Sequence, residues 1–144
     1  MIVKKITIKN FRSYYGENEF DLKDGLTLII GDNGDGKTTF FEALEWLFNT
    51  STHDVKKSNI SAKRRKELGD GESDEVRVCI AFQHEDGDKI VEKSFQFANE
   101  DGNIITRNFV FKGYECYGAE RSLTDGKALL DRCFDYDMRR YCLF

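Results

Sequence analysis

Residues 26–48 decide the fold of this chain and read LTLIIGDNGDGKTTFFEALEWLF. The stretch begins with the run LTLII at 26–30, a pattern that is typical of a strand buried on both faces. Between positions 37 and 48, apolar residues stand at 40, 41, 44, 47 and 48, and this spacing predicts an amphipathic helix with a wide buried face. The sequence therefore predicts a strand, a glycine-rich loop and a helix in direct succession.

The loop at residues 31–38 matches the pattern G-x-x-x-x-G-K-[ST] in full, which is typical of a phosphate-binding loop. Its glycines permit backbone angles and a close approach that a side chain would prevent. Successive N–H groups then point at a phosphate, and the start of the helix adds partial positive charge. Lys37 supplies a cation between the β- and γ-phosphates, and the Thr38 hydroxyl is placed to ligate Mg²⁺. We predict ATP and Mg²⁺ as cofactors, with Lys37 as the catalytic residue.

The alternative interpretation of this loop is a glycine-rich turn that precedes a helix without binding a ligand. Asp32 and Asp35 would repel a phosphate group if their side chains faced it, but only the backbone of such a loop has to face the ligand. The succession of strand, loop, Lys-Thr and helix favours the phosphate-binding loop.

The other elements follow from hydrophobic alternation and turn residues. Strands are predicted at 1–9 and 18–22, with a connector at 10–16, and an antiparallel meander at 76–82, 89–97 and 104–111. Thr124 is predicted to cap a helix over 125–134, and Asp135 another over 136–141. We predict one lobe over 1–144, made of strands, loop and first helix (1–48), a polar connection with a helical turn near 60–68 (49–74), the meander (75–112) and a helical segment (122–144).

Composition narrows the class of protein. The 144 residues are 40% hydrophobic and 33% charged with a formal net charge of −4, which argues for a folded domain and against disorder. No apolar run approaches the roughly 18–20 residues of a membrane span, and the N-terminus lacks a signal-peptide pattern. We therefore expect no membrane partner and a cytoplasmic location, including the nucleoid.

The cysteines predict no metal site. Four cysteines without a C-x-x-C pair indicate reduced thiols rather than a zinc site.

Three stretches carry a resemblance to a known family. They are Asn10-Phe11-Arg12-Ser13, the loop in the form Gly-x-Asn-Gly-x-Gly-Lys-Thr, and Phe41-Glu42-Ala43-Leu44. Together they resemble the opening of an ATPase head of the SMC/SbcC/RecF type, within the ABC ATPase superclass, and the later segments resemble the DndD ATPases of DNA sulfur modification. The resemblance covers most of the chain and is sharpest over 1–48. It implies an α/β P-loop NTPase fold, the N-terminal lobe of an ABC-type head with an antiparallel β-meander subdomain.

The resemblance also implies which residues bind the nucleotide. It places Arg12 near the nucleotide and assigns the remaining contacts to Gly31, Asn33, Gly34, Asp35, Gly36, Lys37, Thr38 and Thr39. The family also places a basic residue beyond the first helix, in a segment that reaches the nucleotide or DNA. Lys63, Arg64 and Arg65 are the candidates for that contact.

Two parts of a complete ABC-type head are missing from the sequence. It contains no apolar strand that ends in Asp-Glu, the Walker B pattern, and no Leu-Ser-Gly-Gly-like signature. In SMC-like proteins these parts lie beyond a long coiled coil, so we expect three partners: the C-terminal lobe of the same protein, a second head in a homodimer, and DNA. The apolar residues 141–144 fit a lobe that is cut before the Q-loop, and we expect the 144 residues alone to be inactive.

The sequence therefore predicts an ATPase that uses Mg-ATP binding and hydrolysis to drive head engagement and to act on DNA in repair, chromosome maintenance or defence. One alternative is a non-catalytic nucleotide-sensing P-loop module, which differs by the absence of a Walker B carboxylate downstream. The other is a small P-loop kinase, which would need a lid helix with arginines and an acceptor pocket.

Overall fold

The computed structural model describes residues 2–22, 35–49 and 57–134. The strands in these ranges are β1 (Ile2–Phe11), β2 (Tyr14–Asp21), β3 (Ser73–His84), β4 (Gly87–Glu100), β5 (Asn103–Tyr117) and β6 (Glu120–Asp125). The helices are α1 (Asp35–Phe48), α2 (Ala62–Glu67) and α3 (Gly126–Cys133), and a single 3-10 turn covers Lys57–Asn59. None of the described helices is both long and apolar enough to cross a membrane.

The strands form one antiparallel sheet in the order β2-β1-β3-β4-β5-β6. The first hairpin joins the predicted meander directly, because β1 pairs with β3 and sets Ile6 opposite Ile80 and Ile8 opposite Val78. β3 and β4 stay in register from Ser73 to His84. The sheet is therefore continuous from the first hairpin to the last.

One face of this sheet is apolar, and the alternation of buried with half-buried side chains is clearest along β3. On β3 the buried residues are Val76, Val78, Ile80 and Phe82, while the residues between them are half-buried. Ile6 and Ile8 of β1 continue the same face. The opposite face carries ion pairs, such as the one between Lys112 and Glu92.

Two helices cover the apolar face. α1 buries Phe40, Ala43, Leu44 and Leu47, which stand at the 3–4-residue spacing of one helical face. Burial of each large apolar side chain contributes roughly 1.5–3 kcal/mol relative to exposure, so this face holds α1 firmly on the sheet. The buried Phe134, directly after α3, packs against Phe48 at 5.1 Å and Phe82 at 5.0 Å between ring centroids, so the two helices share one core.

The C-terminal end of α1 is anchored by a buried lysine. Lys93 of β4 has no exposed surface, and its Nζ donates to the carbonyl oxygens of Trp46 and Asn49, each at 2.7 Å. The last carbonyls of a helix have no intrahelical donor and carry partial negative charge. Nζ also lies 4.9 Å from the ring centroid of Phe111 and 5.2 Å from that of Trp46, a distance at which a cation is attracted to an aromatic face. The lysine therefore holds one end of α1.

Several predicted elements are confirmed. The helix predicted over 37–48 is α1, the predicted turn near 60–68 is α2, and the three predicted meander strands are β3, β4 and β5. The predicted strand at 26–30, the predicted helix at 136–141 and its cap Asp135 lie outside the described residues.

The connector predicted at 10–16 is wrong, because β1 continues to Phe11 and β2 begins at Tyr14. Asn10 and Arg12 adopt left-handed φ angles of 52° and 50°, and the register of the strand pair shifts between Lys9 and Phe11. Asn10 lies at the register shift, and Arg12 lies in the two-residue turn between Phe11 and Tyr14, which forms without the glycine that usually marks such a turn. No turn motif in residues 10–16 predicts this hairpin.

The cap of the last described helix is shifted by one residue. Thr124 is the cap predicted from the sequence, but in the structure it is a residue of β6 and pairs with Gly113 of β5. The N-cap is Asp125, whose carboxylate accepts a hydrogen bond from the Ala128 N–H at 3.3 Å. The strand β6 itself was not predicted, because its burial does not alternate and Leu123 is exposed.

The replacement Lys93→Met tests the anchor of α1. It keeps a long side chain in the core but removes the Nζ donor to the Trp46 and Asn49 carbonyls, which costs about 1–3 kcal/mol. We expect urea denaturation to show a lower free energy of unfolding by about that amount. Lys112→Met is the matched control, since Lys112 is a half-buried lysine on the opposite face of the neighbouring strand. Equal stability of the two variants would contradict the anchoring role.

Candidate nucleotide-binding site

The second half of the predicted phosphate-binding motif forms the first turn of α1. The helix begins at Asp35, so Gly36, Lys37 and Thr38 occupy that turn, while Gly31, Asn33 and Gly34 lie outside the described residues. The first N–H groups of a helix lack intrahelical acceptors, and this end carries partial positive charge. Both properties favour an anion, so the backbone position of the motif fits a bound phosphate.

The start of α1 is seated in the core directly after the motif. Thr39 is 7% exposed and Phe40 is 1% exposed. The Phe40 ring packs edge-to-face against Phe20 of β2 at 5.3 Å and against Phe41 at 5.9 Å between ring centroids. These contacts fix the backbone position of the helix start relative to the first hairpin. The burial of Thr39 agrees with a structural role and leaves its predicted ligand contact untested.

Arg12 lies in the tight turn between β1 and β2. Its backbone N–H donates to the Asn59 carbonyl at 2.9 Å, and its φ is 50°. The main chain of Arg12 therefore contacts the segment that contains Asn59.

The guanidinium of Arg12 is held by groups from two other segments. Its Nε and Nη2 both donate to Oδ1 of Asn59, at 3.1 and 3.0 Å. Its Nη1 forms an ion pair with Glu42 of α1, and the guanidinium carbon lies 5.4 Å from the ring centroid of Phe11. In this conformation the side chain is 40% exposed. Asn59 therefore sets its orientation, and Glu42 balances its charge.

Asn59 belongs to a short segment that pairs with the hairpin. Ile60 forms an isolated antiparallel bridge with Phe11, and the Ser61 N–H donates to the Asn10 carbonyl at 2.8 Å. Asn59 and Ile60 are only 3% and 2% exposed. Residues 59–61 are thus fixed against the turn that carries Arg12.

The position of Glu42 relates Arg12 to the phosphate-binding motif. Glu42 follows Thr38 by four residues, so the two positions lie on the same face of α1, separated by about 6 Å along the axis. Arg12, Glu42 and Asn59 also line a cavity of about 420 Å³, together with Phe11, Glu45, Trp46 and Asn49. The guanidinium therefore faces open space about one helical turn from the end of the motif.

The predicted basic contact residues lie on α2, which packs beside the same hairpin. Arg64 is engaged by acidic neighbours: its Nε donates to Asp74 at 2.6 Å and its Nη1 to Glu67 at 3.0 Å. The hydrogen bond with Asp74 raises the pKa of Arg64. Burial raises the pKa of the Asp74 carboxyl, but the hydrogen bonds from Arg64 and the Glu75 N–H, together with the charges of Lys9 and Arg64, outweigh burial, so the net pKa is lowered. Arg64 therefore stabilises the link between α2 and β3.

The other two basic residues have different surroundings. Lys63 is exposed, and its Nζ lies 4.4 Å from the ring centroid of Tyr15. Tyr15 also donates a hydrogen bond to Glu67, which raises the pKa of Tyr15. Arg65 donates to the Lys57 carbonyl at 3.5 Å. Of the three predicted residues, Lys63 has the cation most open to an added ligand, and a contact of any of the three with nucleotide or DNA remains a prediction.

Two residues that hold Arg12 had no role in the sequence analysis. Glu42 stands within the quoted stretch Phe41-Glu42-Ala43-Leu44, and its place among the apolar positions 40, 41 and 44 of the predicted helix was the available signal. Asn59 had no signal, because its contacts depend on a fold in which residue 59 meets residue 12.

Comparison with known proteins matches residues 5–126 to the AAA_23 family, whose description is AAA domain. The chromosome partition protein Smc of Synechocystis sp. is 29% identical over 107 residues, which are 70% of this chain and 8% of that protein. The DNA replication and repair protein RecF of Halalkalibacterium halodurans is 32% identical over 87 residues, 60% of this chain and 21% of that protein. RecF of Streptococcus uberis is 40% identical over 53 residues, 37% of this chain and 14% of that protein. The chain thus matches only a small part of each relative.

Two solved structures have a similar fold. An SMC ATPase structure, from work on ATP-driven dimerization and DNA-stimulated activation of SMC ATPases, has a TM-score of 0.53 at 18% identity and covers 91% of this chain and 76% of that chain. The SMC head domain from Thermotoga maritima has a TM-score of 0.51 at 18% identity and covers 92% of this chain and 42% of that chain.

The α/β P-loop fold class predicted from the sequence is therefore confirmed at the level of the fold. The family match covers most of the chain, and both structural neighbours are SMC ATPase heads. The chain belongs to the AAA_23 family of AAA domains and is an N-terminal lobe of the SMC/RecF-like ABC ATPase type.

Proposed function

We propose that this chain is the ATP-binding lobe of an SMC/SbcC-like ATPase, which uses Mg-ATP binding and hydrolysis to drive engagement of two heads on DNA. The observation that carries the proposal is the G-x-x-x-x-G-K-T motif, whose second half forms the first turn of α1. The head fold supports it, as do the relatives named for chromosome partition and for DNA replication and repair.

The residues present fit a nucleoside triphosphate with Mg²⁺. The N–H groups at the start of α1, which lack intrahelical acceptors, suit phosphate oxygens, and Lys37 adds a cation to the β- and γ-phosphates. Thr38 would hold the metal, which would neutralise charge that develops on the phosphates. Arg12 would add a second cation from the hairpin.

The catalytic carboxylate is proposed to come from elsewhere. Phosphoryl transfer depends on positioning and on charge stabilisation, and a Walker B carboxylate is part of that arrangement. The 144 residues contain neither this pattern nor a signature motif. We therefore assign the carboxylate to a C-terminal lobe and the signature motif to a second head of a homodimer. DNA is the proposed macromolecular partner, and a cytoplasmic location stays part of the proposal.

The two alternatives keep the same nucleotide site. A nucleotide-sensing module would bind Mg-ATP without a Walker B partner, and a small kinase would transfer phosphate to an acceptor. No observation in the described residues favours a kinase, because the elements between α1 and α3 are the short helix α2, a 3-10 turn and the sheet strands.

The replacement Lys37→Ala should weaken Mg-ATP binding strongly. It removes a charge-assisted contact to phosphate worth about 1.5–3 kcal/mol, which corresponds to roughly 10- to 150-fold in affinity. Calorimetric titration of the wild-type and variant chains with Mg-ATP measures the difference.

Lys127→Ala provides the matched control for this titration. Lys127 is also in the first turn of a helix, the second residue of α3, and its side chain is 57% exposed. We expect its variant to bind Mg-ATP like the wild type. If Lys37→Ala and Lys127→Ala bind equally well, the phosphate-binding assignment is wrong.

Phosphate release should stay at the background rate for the 144 residues alone and rise when the C-terminal lobe is added. The rate should increase more than linearly with protein concentration, because two heads have to pair. A Lys37-dependent release of phosphate by the pure chain would contradict the proposed division of the site.

A further inference from the structure

We propose that Asn59 and Glu42 are positioning residues for Arg12. Asn59 orients the guanidinium beside α1, and Glu42 holds its charge until a nucleotide phosphate takes the place of the carboxylate. This inference rests on the proposed function, since it concerns the affinity for Mg-ATP.

The orientation of Arg12 depends on one amide oxygen. A guanidinium has five N–H donors in a fixed planar fork, and Oδ1 of Asn59 accepts from Nε and Nη2 together. This contact fixes the plane of the fork and leaves Nη1 directed at Glu42. Because Asn59 is 3% exposed, its amide is itself held in place and can impose this orientation.

The backbone reinforces the arrangement. The Arg12 N–H donates to the Asn59 carbonyl at 2.9 Å, and the Ser61 N–H donates to the Asn10 carbonyl at 2.8 Å. Residue 59 therefore contacts residue 12 through both its main chain and its side chain. The segment after α1 and the hairpin turn behave as one unit around the guanidinium.

Glu42 competes with phosphate for the same cation. It lies one helical turn after Thr38 on the same face of α1, so a phosphate held by the motif approaches Arg12 from the neighbouring turn. The Arg12 and Glu42 side chains are 40% and 31% exposed, and both line the 420 Å³ cavity. A partly exposed ion pair is weak, so a polyphosphate with a higher charge can displace the carboxylate.

The two residues should therefore affect nucleotide affinity in opposite directions. Asn59→Ala releases the guanidinium and should weaken Mg-ATP binding by about fivefold, the worth of a typical hydrogen bond. Glu42→Gln removes the competing charge and should tighten binding by about threefold. Both effects should vanish in an Arg12→Ala background, because both residues act on affinity through Arg12. The double-mutant cycle measures this coupling between residues.

Matched controls separate this coupling from general effects. Glu120→Gln removes the same charge from an exposed position of β6, outside the cavity that Arg12 and Glu42 line. Asn99→Ala removes an amide that donates to the Leu68 carbonyl at 2.9 Å, between β4 and the end of α2. Calorimetric titration of these chains with Mg-ATP should give affinities close to that of the wild type.

A second measurement reads the contact without nucleotide. The Arg12 Nε–H signal in the nitrogen-15 NMR spectrum should exchange slowly with water in the wild type and in Asn99→Ala. In Asn59→Ala the exchange should be fast, because the acceptor is gone. This readout distinguishes orientation of the guanidinium from a change in stability.

The outcomes separate the two proposals. Two results would overturn the positioning role while the proposed function stands, provided that wild-type binding depends on Lys37. In the first, Asn59→Ala and Glu42→Gln bind Mg-ATP like their control variants. In the second, the two replacements change the affinity even in the Arg12→Ala background. If the wild type shows no Lys37-dependent binding, the proposed function fails and the nucleotide-linked part of this inference fails with it. A fast-exchanging Arg12 Nε–H in the wild type overturns the orientation by Asn59 in either case.

Discussion

The packing of α1 against the apolar face of the antiparallel sheet fixes where the second half of the predicted phosphate-binding motif lies. Phe40, Ala43, Leu44 and Leu47 are buried along one side of the helix, and Lys93 binds its last carbonyls. The first turn, which contains Lys37 and Thr38, therefore starts from a helix that is held along its length. A phosphate site needs such support, because its donors act by being in place before the ligand arrives.

The hairpin of β1 and β2 holds a second group beside α1. It brings Arg12 to the side of α1 and pairs through Phe11 with Ile60, so the segment after the helix returns to the turn that precedes the motif in sequence. Three stretches that are far apart in the chain thus meet at one guanidinium. This convergence links the predicted nucleotide contact to the basic helix α2, whose N-cap Ser61 follows Ile60 directly.

Local patterns in the sequence predicted much of the fold, and long-range contacts account for the rest. Alternation at Val76, Val78, Ile80 and Phe82 predicted β3, and the spacing of apolar residues predicted α1. The pairing of β1 with β3 was not predicted, because alternation defines a strand's faces but not its neighbour. The tight hairpin at Arg12 was also missed, since it depends on left-handed non-glycine residues.

In the candidate site, too, some residues could be predicted from the sequence and others could not. The motif at residues 31–38 was recognisable, because its chemistry needs particular residues at a fixed spacing. Arg12 was identified through the resemblance to ATPase heads. Its partners Asn59 and Glu42 could not be derived from the sequence, because residue 59 reaches residue 12 only after the segment has folded onto the hairpin. The occurrence of lysine at position 93, within an alternating apolar pattern, was an unused signal of a buried polar contact.

Hydrogen–deuterium exchange with and without Mg-ATP tests the central claim most directly, because it reports on each backbone segment separately. If the start of α1 cradles the phosphates, nucleotide should slow amide exchange over residues 31–39 in the wild type, and Lys37→Ala should remove that protection. Protection that appears elsewhere and leaves residues 31–39 unchanged would contradict the account.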